Sequence, residues 1–442
     1  MNPSTHVAEQ PLYGEQTRLT LQNMSFSGVS LSRFPAYIQS AARVKKACAL
    51  ANLRAGLLPA DKAEQIMSAC DELAAGRHQD QFPVDVYHGG GGIGLNMNLN
   101  EVIASLAGVD IRPVDDVNMS QSTSDVCHTA LRLTLFGRLG ELDKETAAWV
   151  EKLEELASAF ASVPTIARTC LQDGMEISAG ALFSGTAAAI RRQREDIALW
   201  RKRMTRVNLG WTVVGTGTGA PESYRREILS ALKDVLGYEV TWRESTLDAA
   251  EYPDDLAAVS GLTGRLAQIL AKFSRDLRLL SSGPETGLRE LRLPAVQAGS
   301  SFFPGKVNPV IPEMMIQCAM LIEGHDGVIQ RAVGLGEIHI NLWEEMMGFL
   351  LLDSMGMLLR AMKSLRERCV AGITINEAVC REYAAARIPI IVACKERYGY
   401  QYLSSRIKKE GLEAVVADLR NRGLITPDNK RIIKQGVCHG YV

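Results

Sequence analysis

The stretch TALRLTLFGRLGELDKETAAWVEKLEEL, residues 129–156, contains no proline and repeats apolar residues three and four positions apart. This spacing is typical of a long α-helix with one buried face. Three further tracts, rich in Ala, Leu, Met, Glu and Arg, share the pattern: residues 178–208, 254–281 and 309–332. We therefore predict an all-α fold built on a long central helix bundle. Strand-like pieces such as YEVTW and WTVV are too few and too far apart to form a parallel sheet.

The regions on either side of this bundle predict two smaller helical domains. Residues 32–56 and 57–76 form two consecutive helical patterns, the second with Pro59 and Asp61 near its start, and together they predict a helical hairpin. After Cys369 the composition changes to shorter segments, GITIN and then NRGLITPDNKRII. We expect an N-terminal helical domain over residues 1–110, a central helix-bundle domain over 111–362 and a small C-terminal helical domain over 363–442.

The composition limits the possible partners and the compartment. The chain has 442 residues, is 46% hydrophobic and has a net charge of -1, so no excess charge favours nucleic acid or an anionic membrane. Its nine cysteines are scattered without a C-x-x-C pair, which is typical of reduced, mostly buried thiols in a cytoplasm. Neither an export signal nor a membrane span is indicated. We expect a cytoplasmic protein whose partners are a small molecule and other copies of itself.

One motif imitates a dinucleotide site. In WTVVGTGTGAPESYRREILSAL, residues 211–232, Gly215, Gly217 and Ala220 have the G-x-G-x-x-A spacing of a nicotinamide cofactor fingerprint. A dinucleotide site also needs neighbouring βα units, and here a helical tract precedes the motif and no second unit follows. A glycine-rich connection between two bundle helices is therefore favoured, and no cofactor is expected.

A polar loop concentrates the chemistry. Residues 299–309, GSSFFPGKVNP, place two hydroxyls, an ammonium and an amide between glycines and prolines. Glycines allow such a loop to close over a substrate, and Lys306 with Asn308 offers charge and a hydrogen bond to a carboxylate. The density of donors favours a binding site over a solvated surface loop.

This loop resembles the G-S-S-x-M-P-x-K-x-N-P signature of the aspartase/fumarase superfamily, and departs from it at Phe303, where Met is usual. Three further segments are similar to family motifs in the same order: GGGGIGLNMNLNEVIA at 89–104, NMSQSTSDVCHTA at 118–130 and ARTCLQD at 167–173. GITINEAVC and NRGLI fall where the family has its small terminal domain. The resemblance therefore covers nearly the whole chain.

The resemblance implies a three-domain helical homotetramer whose active sites are shared between subunits. It also implies an anti β-elimination that needs neither metal nor cofactor, acting on an amino or substituted-amino dicarboxylic acid. A base removes the proton beside one carboxylate, a doubly charged aci-carboxylate forms, and ammonia or an amine leaves to give fumarate or a related trans-unsaturated acid. Stabilising the developing charge with preorganised donors is the main physical task.

The matching positions imply roles for individual residues. Ser300 corresponds to the base, and since serine is a poor base in water, Lys306 and backbone N–H groups are the candidates to stabilise its alkoxide. Lys306 and Asn308 would bind one carboxylate, and Glu313 matches an acid behind them. The predicted contacts to the rest of the substrate come from Asn96, Ser122, Thr123, Ser124, Thr169 and Ser301. Ser122 and Thr123 also have a simpler interpretation as caps of a helix beginning near Val126.

The departures from the family pattern cluster around the leaving group. Ile93 and Gly94 stand where hydroxyl residues are usual, Ser124 replaces Asn, and Cys170 replaces His. Each unmet hydrogen bond to a buried ammonium would cost roughly 1 to 3 kcal/mol. We therefore favour a substituted or less hydrogen-bonding amine. The alternative keeps aspartate, with waters or His88 replacing the lost contacts.

Several alternatives stay open. His88 either contacts the substrate or fixes the loop, and Cys170 is either a proton donor or an inert buried thiol. A fumarase-like hydro-lyase and a non-catalytic structural relative are the competing functions. Two pairs, His339 with Glu337 and Glu344 with Glu345, lack the spacing of metal ligands, so we interpret them as solvated or core residues.

Overall fold

The computed structural model describes residues 11–422, and within them the chain is mainly helical. The α-helices are α1 Glu15–Met24, α2 Pro35–Arg54, α3 Ala60–Ala74, α4 Ile93–Ala107, α5 Thr123–Ala159, α6 Ala181–Arg203, α7 Glu222–Leu236, α8 Thr246–Glu251, α9 Asp254–Leu280, α10 Val310–Val333, α11 Glu344–Arg368, α12 Glu377–Ala384, α13 Arg387–Tyr398, α14 Tyr400–Glu410 and α15 Leu412–Asn421. The strands form three two-stranded sheets: β1 Pro164–Thr169 with β2 Gln172–Ser178, β3 Arg206–Val207 with β4 Thr241–Trp242, and β5 Leu291–Arg292 with β6 Thr374–Ile375.

The predicted all-α class is confirmed, and the four long tracts are the helices α5, α6, α9 and α10. The predicted hairpin is α2 followed by α3, which begins directly after Pro59 and carries Asp61 in its first turn. The strand-like segment WTVV is not a strand, and YEVTW contributes only the two residues of β4. Apolar periodicity over many residues thus predicted structure well, whereas short β-branched runs did not.

Contacts between Cα atoms divide the chain into two compact units. Among the described residues, the first unit comprises 11–145, Gln193–Gln268 and Gln317–Ala361, and the second comprises Thr146–Arg192, Ile269–Ile316 and 362–422. The three-domain boundaries at 110 and 362 stay a prediction. The segment NRGLITPDNKRII from residue 423 onward, and Cys438, lie outside the described residues.

A fully buried arginine ties helices together in the first unit. Arg132 on α5 donates from Nε and Nη2 to Asp255 on α9, at 2.9 and 2.8 Å. Its Nη1 donates to Glu344 on α11. The paired carboxylates outweigh the effect of burial and hold the pKa of Arg132 above its ordinary value. This cluster fixes the first third of α5, the helix that begins at the predicted Q-S-T-S segment.

The second unit has an aromatic core, and a buried glutamate bonds to its strand β1. Phe183 lies between Phe160 and Phe273, and Trp149 packs edge-on to Phe273. Glu290, which is 3% exposed, accepts hydrogen bonds at 2.5 Å from both Thr165 and Arg168 of β1. These contacts fix the strand that ends at Thr169.

The glycine motif at 215–220 is a packing device in the first unit. A Cβ at Gly215 would lie 2.1 Å from the carbonyl oxygen of Thr246, so only glycine allows this close approach. The preceding strand β3 has two residues and ends well before Gly215, although it pairs in parallel with β4 after α7. These short elements build no dinucleotide crevice, and the structure favours the predicted glycine-rich connection.

No helix between residues 11 and 422 is both long enough and apolar enough to cross a membrane.

We expect Arg132→Met to lower the free energy of unfolding by about 3–5 kcal/mol, because Asp255 and Glu344 would remain buried without their cation. Arg138→Met is the matched control, since this arginine of α5 bonds Glu141 near the surface and should cost less than about 1 kcal/mol. Urea denaturation of both variants at neutral pH measures the difference. Equal costs would contradict the assigned role of Arg132.

Candidate active site

In the first unit, the Q-S-T-S segment at residues 121–124 forms the start of a helix. Helix α5 begins at Thr123, three residues earlier than expected. Ser122 Oγ accepts a 3.3 Å hydrogen bond from the N–H of Ser124, and Asp125 accepts one at 2.9 Å from the N–H of Ser122. This reciprocal arrangement is similar to a capping box, with the oxygen of Ser122 bonding the second helical N–H, so Ser122 does cap the helix. Because the cap uses the oxygen of Ser122, its hydroxyl hydrogen remains able to donate.

Asp125 fixes this helix start to a neighbouring loop. Its second oxygen accepts hydrogen bonds from the backbone N–H groups of Gly210 and Thr212 at 3.0 and 3.2 Å. Burial raises the pKa of Asp125 to about 6, although the three backbone donors and Lys45 act in the opposite direction. At neutral pH the carboxyl group is therefore mostly ionised, and both of its oxygens accept backbone hydrogen bonds.

A hydrogen bond from Asn96 determines that the Thr123 hydroxyl accepts within the protein and can donate elsewhere. Asn96 Nδ2 donates to Thr123 Oγ1 at 3.0 Å and to Asn118 Oδ1 at 3.1 Å. Since the threonine oxygen accepts this bond, its hydrogen is left to donate elsewhere. Within the described residues, Oδ1 of buried Asn96 has no hydrogen-bond partner. Thr123 thus presents a donor and Asn96 an acceptor from one small network.

Lys45 is a functional candidate that the sequence analysis missed. Its side chain is fully buried, and Nζ donates to Asn118 Oδ1 at 2.8 Å and to Gln121 Oε1 at 2.9 Å. Burial lowers the pKa of Lys45 to about 8, so the amine is still mostly protonated at neutral pH. The cation therefore stabilises the 118–121 turn that leads into Ser122. A lysine inside an alanine-rich helical pattern gave no sign of this role.

His88 fixes the glycine-rich loop at residues 89–94. His88 Nδ1 donates to the carbonyl of Asp85 at 2.8 Å, and Nε2 accepts a 2.9 Å hydrogen bond from the N–H of Gly94. Burial lowers the pKa of His88, which favours the neutral ring that this pattern requires. Both ring nitrogens thus have protein partners, so the structure favours the loop-fixing interpretation over contact with substrate.

The missing side chain at position 94 has a steric cause. A Cβ on Gly94 would lie 2.8 Å from His88 Nε2 and 2.7 Å from Thr20 Cγ2. Glycine is therefore required while His88 occupies this place. The neighbouring Ile93, the first residue of α4, is exposed, and Ser124 is half-buried in the first turn of α5.

In the second unit, the loop 299–309 presents Ser300 to backbone donors. Ser300 Oγ accepts hydrogen bonds from the N–H groups of Phe302 and Phe303 at 3.0 and 2.9 Å. Two N–H donors on one oxygen favour its anionic form. Ser300 is half-buried and Ser301 is exposed, so the loop makes a candidate base accessible.

Asn308 closes this loop, and Lys306 lies on an aromatic ring. Asn308 Nδ2 donates to the carbonyl of Gly299 at 2.6 Å, and the N–H of Gly299 donates to the carbonyl of Lys306 at 2.8 Å. Lys306 Nζ lies 5.3 Å from the centroid of Phe303, the residue at which the loop departs from the family signature. Lys306 and Ser300 thus belong to one closed turn. Glu313 forms an ion pair with Arg278 at 3.4 Å rather than with this lysine.

Thr169 and Cys170 lie at the tip of the hairpin β1–β2. Thr169 pairs with Gln172, and Cys170 and Leu171 form the connecting turn with positive φ values of 53° and 61°. Such a tight turn projects from the sheet, so Cys170 is exposed. The inert buried thiol proposed for Cys170 is therefore wrong, whereas the other described cysteines are buried as expected.

The predicted residues thus form a group in each unit. Asn96, Ser122, Thr123 and Ser124 form one connected region, with Ile93 and His88 at the adjoining loop. Ser300, Ser301, Lys306 and Asn308 share the second group's loop, while Thr169 and Cys170 lie on the hairpin of the same unit. Their roles toward a substrate stay predictions. Between residues 11 and 422 no set of three or more His, Cys, Asp or Glu side chains is arranged to bind a metal ion.

Comparisons with known proteins assign the family. Residues 4–324 match the sequence profile of the family described as Lyase. The chain belongs to the aspartase/fumarase superfamily of lyases. It is 39% identical over 412 residues to the aspartate ammonia-lyase of Corynebacterium glutamicum, covering 91% of this chain and 78% of that protein.

Two further comparisons support this family assignment. The aspartate ammonia-lyase of Helicobacter pylori strain J99 is 37% identical, with 92% of this chain and 89% of that protein covered. The structure of a fumarate lyase:delta crystallin from Brucella melitensis superposes with a TM-score of 0.89 at 37% identity, covering 94% of this chain and 93% of that one. The predicted carbon–nitrogen lyase class and the helical superfamily fold are confirmed.

We expect Gly94→Ser to lower stability by roughly 1–3 kcal/mol, because its Cβ would collide with His88 and Thr20. Adding His88→Ala removes one of the colliding groups, so the double variant should lose less than the sum of the single losses. Gly137→Ser is the control, since a Cβ there meets no atom within 4 Å. Thermal unfolding of the wild type, Gly94→Ser, His88→Ala, the double variant and Gly137→Ser tests this, and simple additivity would contradict it.

Proposed function

We propose that the chain catalyses anti β-elimination from aspartate or an aspartate bearing a substituted amine, releasing fumarate and ammonia or the corresponding amine. The relatives named aspartate ammonia-lyase support the substrate class. The observation that carries the mechanism is the Ser300 hydroxyl, whose oxygen accepts two backbone N–H groups in a loop that also contains Lys306. We further propose a cytoplasmic homotetramer with active sites shared between subunits, which acts without metal or cofactor.

The network around Thr123 supports binding of a substrate carboxylate. Ser122 and Thr123 each use their oxygen as an acceptor inside the protein, which leaves two hydroxyl hydrogens to donate. Lys45 adds a buried positive charge behind this segment without a carboxylate in direct contact. Donors that are already oriented need no reorganisation as charge develops on the substrate.

Ser300 is the proposed base. Its alkoxide takes the proton from the carbon beside one carboxylate, and the electron pair of that C–H bond moves into the carboxylate to form the aci-carboxylate. The electron pair then returns to form the carbon–carbon double bond as the C–N bond breaks and the amine leaves. The N–H groups of Phe302 and Phe303 favour the alkoxide, and Lys306 and Asn308 are the proposed ligands of a substrate carboxylate.

The residues proposed to surround the leaving amine are compatible with a substituent on its nitrogen. Gly94 has no side chain, and Ile93 offers an apolar exposed side chain where the family carries hydroxyls. Asn96 Oδ1 is buried without a hydrogen-bond partner within the described residues, so it is the proposed acceptor for one N–H of the amine. A substituted amine replaces lost hydrogen-bonding hydrogens with carbon, so it leaves fewer groups unmet than an ammonium does.

A direct test adds ammonia, methylamine or hydroxylamine to fumarate and follows the loss of its ultraviolet absorbance. We expect addition with ammonia or at least one substituted amine, and the reverse elimination from the product. Hydration of fumarate to malate without amine addition would favour the fumarase-like alternative. Failure of every amine and of water would favour a non-catalytic relative and contradict the proposed function.

Ser300→Ala should lower kcat by at least about 100-fold, because the variant loses the proposed base. The assembly should be unchanged, since within residues 11–422 the Ser300 side chain bonds only backbone N–H groups of its own loop. Ser405→Ala, an exposed serine on α14, is the matched control. Steady-state kinetics and the sedimentation coefficient give both results. A variant with wild-type turnover would exclude Ser300 as the base.

A further inference from the structure

The start of α11 places two consecutive carboxyl groups inside the first unit. Glu344 and Glu345 are 6% and 7% exposed. Glu344 bonds Arg132 and lies 3.2 Å from His128 Nδ1, but Arg132 also serves Asp255. Arg132 is therefore shared between two carboxylates before Glu345 is considered, although Asp255 also has Arg243 Nη1 at 3.9 Å.

Glu345 lies directly against the glycine-rich loop. A Cβ on Gly92 would be 2.8 Å from Glu345 Oε1 and 3.0 Å from its Cδ, and Gly92 has a φ of +83°. A Cβ on the adjacent Gly91 would be 3.0 Å from Leu342 Cδ2. The chain at 342–345 is thus the surface on which the loop lies immediately before α4 begins at Ile93.

Burial and the neighbouring Glu344 favour the neutral form of Glu345, whereas its own backbone N–H and Arg132 act more weakly in the opposite direction. Glu344 adjoins it on α11, Arg132, Cys127 and His128 face it or its neighbour from α5, and Tyr37 faces it from α2. Burial and the charge of Glu344 raise the pKa of Glu345. Burial opposes ionisation of Glu344 too, but Arg132 and His128 outweigh it and lower its pKa. Burial also raises the pKa values of Tyr37 and Cys127 and lowers that of His128, so burial favours the neutral form of all three side chains.

We propose that Glu345 is a positioning residue for the elimination: its neutral carboxyl supports the loop 89–94, and its ionisation displaces the loop and weakens substrate binding. The inference rests on the proposed function for the role of this loop. Ionisation would add a negative charge beside that of Glu344, whose partner Arg132 is shared with Asp255. Because Glu345 is 7% exposed and lies against Gly92, we expect its carboxylate to gain water by displacing the loop. The loop carries the start of α4, and with it Ile93 and the first turn that leads to Asn96.

The experiment compares the wild type with Glu345→Gln, which keeps the shape of the neutral acid but cannot ionise. Glu367→Gln, an exposed glutamate near the other end of α11, is the matched control. Hydrogen exchange of a peptide covering residues 89–95 is measured between about pH 6 and pH 9, corrected for the intrinsic pH dependence of exchange. KM and kcat for aspartate, or for the best substituted aspartate, are measured over the same range.

We expect the loop of the wild type and of Glu367→Gln to lose protection as the pH rises, while Glu345→Gln keeps it. The ratio of wild-type KM to that of Glu345→Gln should rise at least about threefold from pH 7 to pH 9, with less effect on the ratio of kcat values. Lys45 and the substrate amine titrate in all three proteins, so this ratio isolates Glu345.

Parallel exchange profiles in wild type and Glu345→Gln would overturn the proposal, and so would an exchange difference without a KM difference. If the wild type converts no substrate, the proposed function fails, and the exchange difference alone then supports or overturns the positioning of the loop. Glu345→Met, of similar volume and also uncharged, replaces Glu345→Gln if that variant does not fold.

Discussion

The buried ammonium of Lys45 is the interaction on which the first group of site residues depends. It has amide oxygens rather than a carboxylate as its direct partners, so the 118–121 turn must keep Asn118 and Gln121 oriented toward it. Asn118 in turn accepts from Asn96, and Asn96 sets the direction of the Thr123 hydroxyl. A buried cation without these acceptors would be strongly unfavourable. Other conformations of the turn, which would withdraw the two oxygens, are therefore disfavoured. The hydroxyl donors of this segment are thus oriented before any substrate arrives.

The second group is built by other means. The loop 299–309 is closed by its own backbone and by Asn308, and most of its side chains are exposed. Gly299 is required at this closure because a Cβ would lie 2.6 Å from both Asn308 N and the carbonyl oxygen of Lys306. The loop therefore fixes its ends and leaves Ser300 and Lys306 accessible, as a group that must meet a substrate requires. In the proposed elimination, preorganised donors and an accessible base have complementary roles.

Much of this organisation was predictable from the sequence. Helical periodicity predicted the long helices and the α2–α3 hairpin. The density of hydroxyls, lysine and amide indicated the loop 299–309, and the resemblance to the superfamily motifs indicated the segment 118–124. Properties that depend on distant residues were not predictable. Cys170 is exposed because it occupies a tight hairpin turn, and His88 excludes a side chain at Gly94 through contacts across the loop. Neither Lys45 nor Glu345 has a local signature, because their states follow from burial and from charges on other helices.

A crystal structure of the assembled protein with bound succinate or fumarate tests the central claim most directly. The account predicts one carboxylate within hydrogen-bonding distance of the Ser122 and Thr123 hydroxyls, and a ligand carbon beside Ser300 Oγ, with Lys306 contacting a carboxylate oxygen. These groups can come from different subunits. A dicarboxylate bound elsewhere, with the hydroxyls of Thr123 and Ser300 in no common cavity of the assembly, would contradict the account.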